Sequence, residues 1–122
     1  MKVKIIEASG IKIAMCESDE PVITDGQSTL DYIVSTGFEY GCRDIAINKA
    51  AIAEDFFRLS SGIAGEVSQK IVNYQLRLAI IGDFSGYTSK PLRDYMHESN
   101  RGGHLYFVKD EAEALEMLER AS

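Results

Sequence analysis

Between Arg77 and Asp83 the chain reads RLAIIGD, and its centre is a run of apolar residues with no polar interruption. A strand that offers neither face to water needs cover on both sides, as strands of a helix-flanked parallel sheet do. DIAINK (Asp44–Lys49) and HLYFV (His104–Val108) are shorter runs of the same kind. Between them, apolar residues recur at helical spacing. Leu30, Ile33 and Val34 do so up to Gly37, and Phe57, Ala64, Val67, Ile71 and Tyr74 across some of the following stretch. Leu92, Tyr95 and Met96 continue the pattern to Gly102, then Ala114, Leu115 and Leu118 near the end. Strands alternating with helices predict a mainly parallel sheet with right-handed crossovers.

The N-terminal segment differs. Val3–Glu7 and Ile11–Glu17 flank Ala8-Ser9-Gly10, a glycine-containing connection that predicts an antiparallel hairpin. Ile11, Ile13 and Met15 fall on one face of its second strand. The expected order is therefore β-β-α-β-α-β-α-β-α, an α/β fold whose mixed, mostly parallel sheet carries the hairpin at one edge. Helix starts are marked by Thr24 or Asp25, by Glu54 and Asp55, by Thr88 or Ser89 ahead of Pro91, and by Asp110 with Glu113. Gly102 is expected to take a left-handed cap, with Asn100 and Arg101 serving the last carbonyls of that helix. The second predicted helix includes Ser60-Ser61-Gly62, and Gly62 and Gly65 suggest a close backbone approach there.

At 122 residues, with 45% hydrophobic and 26% charged residues, residues 1–122 read as a single globular domain. No apolar run approaches a membrane span, and MKVKIIEASG lacks the apolar core of a signal peptide. The expected location is the cytoplasm. The net charge of −6 and scattered basic residues argue against nucleic acid and against an anionic membrane surface. Cys16 and Cys42 form no CxxC pair and have no local basic partner, so both read as small apolar core residues. His97 and His104 lack a third ligand at metal-binding spacing, and no metal or cofactor is implied.

In its element order the chain resembles the anti-sigma-factor antagonists, the STAS or SpoIIAA-like fold. In that family a DSSG-like loop motif carries a serine or threonine that a partner kinase phosphorylates. Ser60-Ser61-Gly62 is the comparable triplet, and the resemblance makes Ser60 and Ser61 phosphoacceptor candidates. The junction Ala50–Asp55, where that family keeps its acceptor, holds no hydroxyl. AEDFFRLSSGIAGEVSQKIVNY, AIIGDFSGYTSKPLRDYMHESNRGG and FVKDEAEALEML resemble a bacterial family described as a domain of unknown function, DUF4180. That resemblance spans nearly the whole chain and implies no particular activity.

Ligands of open parallel sheets bind beyond the carboxyl ends of the strands. Three segments lie there: Asn48-Lys49, Asp83 to Lys90, and Lys109-Asp110. The central one, GDFSGYTSKP, is the richest in polar groups. Asn48, Asp83, Ser85, Thr88, Ser89 and Lys90 form a candidate site for a phosphate or carboxylate at a helix start. The alternative is a well-capped loop, with Asp83 bonding local backbone. Asp55 and Asp83 converging on Asn48 would instead suit a hard cation or acid–base chemistry.

The expected function is a small cytoplasmic regulatory or protein-interaction domain that docks a protein partner or self-associates. The alternative is a binding protein for a small anionic ligand, using the loop after the fourth strand. An enzyme comes third, because no motif carries a reaction and no catalytic residue is singled out.

Overall fold

The computed structural model describes residues 1–121. Two strands open it, β1 (Lys2–Ala8) and β2 (Ile11–Glu17), joined by a two-residue turn. Ser9 and Gly10 both have positive φ (50° and 81°), the backbone that twists correctly into an antiparallel hairpin. Asp25 then starts the helical stretch: its carboxylate accepts from the Ser28 N–H, and the Ser28 hydroxyl accepts in return from the Asp25 N–H. This capping box leads into α1 (Gly26–Thr29), a π-helical turn (Leu30–Val34) and α2 (Ser35–Tyr40). The helix passes through Gly37, its expected end, and stops at Gly41 in the left-handed conformation. At Gly37 a Cβ would lie 2.9 Å from the Cys42 carbonyl oxygen, so glycine is needed there for close packing.

Strand β3 (Asp44–Asn48) follows, then three short 3-10 turns, Lys49–Ala51, Glu54–Phe57 and Leu59–Ser61. Only then does α3 (Ile63–Asn73) begin. The expected long helix through Ser60 and Ser61 is thus corrected. Gly62, at φ 81°, breaks the chain direction, and both serines precede the helix. Gly65 is exposed with open space around it, so the expected close approach does not occur there. The remaining elements are β4 (Arg77–Ile81), α4 (Lys90–Arg101), β5 (Leu105–Val108) and α5 (Glu111–Ala121). Gly102 adopts an extended conformation (φ −89°, ψ −165°), not the expected left-handed cap. Asn100 leaves the helix end alone and bonds the backbone of Phe107.

The five strands lie in the order β1-β2-β3-β4-β5, with β1 antiparallel and the rest parallel. Each parallel strand is added on the same side of its predecessor, so right-handed crossovers place their helices on one face. Ile33, Val67, Ile71 and Leu92 accordingly share one core with Ile45, Ile47, Leu78 and Ile80. The second face is covered by α5, whose Ala114 and Leu118 pack on Ile13, Ala46, Ala79 and Tyr106. This double cover is why the inner residues of β3 (Ile45, Ala46, Ile47) and β4 (Leu78, Ala79, Ile80) are all apolar.

One charged pair is buried in this frame. Asp44 and Arg77, the first residues of β3 and β4, are register partners. Arg77 Nε donates to Asp44 Oδ1 at 2.6 Å and Nη2 to Oδ2 at 3.0 Å.

Candidate functional site

The carboxyl ends of β3 and β4 are occupied by side chains of the protein itself. Phe57 and Tyr87 stack at 4.8 Å with an interplanar angle of 18°, and Phe84 and Phe107 pack around them. The Lys49 ammonium lies 5.5 Å from the Phe57 ring and 5.1 Å from the Tyr87 ring. Its stem crosses Gly82, where a Cβ would come within 2.6 Å of the Lys49 Cβ. The Tyr87 hydroxyl donates to Glu54 Oε1 at 2.7 Å, and Glu54 Oε2 stands 3.9 Å from the ammonium. Hydrogen bonding to Tyr87, then the nearby negative charges, raise the Lys49 pKa above the ordinary lysine value. The lysine is therefore a fixed cation, unsuited to act as an amine nucleophile.

Of the six residues of the candidate ligand site, Asp83 and Ser85 meet, and the side chains of Asn48 and Lys90 turn to other partners. Asn48 faces the exit of β2: its Oδ1 accepts from the Ser18 N–H at 2.9 Å, and its Nδ2 donates to the Ser18 carbonyl at 2.7 Å. Asp83 accepts from the N–H and hydroxyl of Ser85, at 2.9 and 2.6 Å. Those two bonds, the hydroxyl first, hold its pKa below the usual carboxylate value. Thr88 is exposed, and Ser89 occupies the N-cap position of α4 without a side-chain capping bond. Lys90, with a side chain 85% exposed, pairs with Asp94 at 2.7 Å, a hydrogen bond that raises its pKa. Asp55 pairs with Arg58 at 3.3 Å, so Asp55, Asp83 and Asn48 point to different partners. The strand order supplies the reason. A crevice opens where an α/β sheet reverses its strand order, and among the described strands the order never reverses.

Ser60 is exposed. Ser61 donates to the Asp55 carbonyl at 2.6 Å and accepts from the Ile63 N–H at 3.2 Å, which ties the last 3-10 turn to the start of α3. His104 Nδ1 lies 2.9 Å from the Leu76 carbonyl oxygen, and His97 is exposed on α4.

The residue that departs furthest from its expected environment is Phe38. In an uninterrupted helix it would share a face with Val34, four residues earlier. A π-turn precedes it, in which the Ser35 N–H bonds to the Leu30 carbonyl, five residues back. Thr36 and Gly37 turn inward, and Phe38 turns out to 77% exposure. Its ring meets Tyr74, itself 45% exposed, edge-on at 6.3 Å. The two rings form part of the wall of a recess of about 210 Å³, which Val34, Gly37, Cys42, Arg43 and Leu76 also line. A groove of about 350 Å³ lies elsewhere, between α4 and the loop after β4, where Phe84, Ser85, Arg93 and Phe107 meet. Arg93 is exposed and makes no ion pair among the described residues. Neither Phe38 nor Arg93 was singled out from the sequence. Among the described residues, no helix is long and apolar enough to cross a membrane.

The chain belongs to the family described as Domain of unknown function (DUF4180), which it matches over residues 8–118. No curated protein and no solved structure matches it.

Proposed function

We propose that the protein is a small cytoplasmic regulatory module that acts by docking another polypeptide, with Phe38 as the anchor. The observation that carries this reading is the 77% exposure of Phe38 beside an apolar recess. Full burial of one such ring contributes roughly 1.5–3 kcal/mol, and aromatic side chains dominate protein contact energies. The filled strand ends support the same reading, since the loop beyond β4 satisfies its own polar groups. The test is a photo-crosslinking amino acid placed at position 38 in the source cells. A discrete protein adduct is expected; labelling no greater than at the exposed position 98 would sink the reading.

Regulation by phosphorylation is compatible with the serines' position. Ser60 is exposed two residues ahead of Gly62, which starts α3, and a phosphate there would sit near the positive end of that helix. Phosphopeptide mapping that never finds Ser60 or Ser61 modified would end this part of the proposal.

The groove between α4 and the loop after β4 favours a second reading, a small anionic ligand. It combines two aromatic rings with the free guanidinium of Arg93. A ligand with a ring and a carboxylate or phosphate would fit it, and Arg93→Gln would abolish its thermal shift. A metabolite panel that leaves the melting temperature unchanged would dispose of this reading.

A further inference from the structure

We infer that the occupant of the Phe38 recess is a second copy of this chain, seated about a two-fold axis. This rests on the docking reading above and names its partner. A two-fold interface must be self-complementary: whatever one copy presents, the same patch must receive. This patch presents an exposed ring, Phe38, that forms one wall of an apolar recess of about 210 Å³. Phe38 of each copy packs over the mouth of the other's recess, against the Phe38 and Tyr74 rings there.

The charges around the recess point the same way. Two copies of net charge −6 repel each other, so a stable pair needs cations at the contact. Arg43 rims the recess, and Lys12 lines the adjoining groove together with Arg43 and Gly41. Both are exposed and make no ion pair among the described residues. Glu39, next to Phe38, is likewise exposed and outside every ion pair described. About a two-fold axis Glu39 of one copy faces Arg43 of the other, and the symmetry makes that contact twice. A purely acidic partner would use the two cations and leave Glu39 opposed to a like charge.

The experiment is analytical ultracentrifugation of the full chain, at concentrations up to about 100 µM, where a micromolar association is saturated. A concentration-dependent dimer is expected. Phe38→Asp should weaken it by at least about tenfold, with circular dichroism confirming an unchanged fold. Glu39→Arg and Arg43→Glu should each weaken it, and the double exchange should restore it to within about threefold of wild type. A dimer indifferent to Phe38→Asp, or a double exchange without rescue, overturns the inference. So does a monomer throughout the range. If that monomer's position-38 crosslinker captures a different chain in cells, the docking reading survives and only the second copy is refuted. If it captures nothing, both fall.

Discussion

Asp44 and Arg77 face each other across neighbouring parallel strands, each the first residue of its strand, joined by two hydrogen bonds at 2.6 and 3.0 Å. Their side chains are 5% and 8% exposed, so neither charge is open to water. Removing one partner strands the other as a buried unpaired charge. Asp44→Ala or Arg77→Ala should therefore cost about 3–5 kcal/mol, whereas Asp44→Leu with Arg77→Met should cost far less. Urea unfolding of the three variants measures the difference.

Asn100 seals the outer edge of the sheet. The Phe107 N–H donates to its Oδ1 at 2.7 Å, and its Nδ2 donates to the Phe107 carbonyl at 3.2 Å, the exchange a neighbouring strand would make. Asn100→Ala should lower stability by about 1–3 kcal/mol. It should also raise light scattering on heating, because an open edge recruits other chains. Asn100→Asp keeps the acceptor and loses the donor, so an intermediate melting temperature is expected.

Gly82→Ala places a methyl group 2.6 Å from the Lys49 Cβ, at the root of that side chain. Lys49 must shift, and its place over Phe57 and Tyr87 is lost with it. The expected cost is about 1–3 kcal/mol, read as a lower urea midpoint. Gly37→Ala meets the Cys42 backbone carbonyl instead and should cost more.

Burial first, and then the neighbouring Cys42, push the Cys16 thiol up to about 11. The unfolded chain ionises near the ordinary thiol value, before the native one does. The stabilisation is thus fully present below the unfolded pKa and is lost as pH rises from about 9 to about 11. Urea midpoints across that window should fall for the wild type and fall less for Cys16→Ala. At pH 8 a thiol reagent should modify Cys42, which lines the recess, before Cys16.

The strands were legible because double cover leaves only apolar residues at the centres of DIAIN and RLAII. The hairpin was legible because Ser9-Gly10 is a turn of known twist. Helical spacing misled between Ala53 and Gly62, since 3-10 turns space their apolar residues almost as an α-helix does, and it held from Ile63 onward. The extended backbone at Arg58 and the positive φ at Gly62 separate the two, and no local pattern announces either. Asn48 and Asn100 act on Ser18 and Phe107 through the tertiary fold, so no local pattern revealed their roles. Phe38 escaped notice because it lies beyond Gly37, where the helix was expected to end. The Asp44–Arg77 pair did leave a trace: opposite charges head β3 and β4, two neighbouring strands with apolar centres.

The unreversed strand order also bears on synthesis at the ribosome. Each strand pairs with the one made just before it, so the sheet can grow in the order in which the chain emerges. Its first face receives a helix with every crossover. The other face waits for α5, which follows all five strands in the chain. Until then Ile13, Ala46 and Ala79 form part of a bare apolar surface on an otherwise assembled nascent chain. That interval is when the growing protein most needs a chaperone.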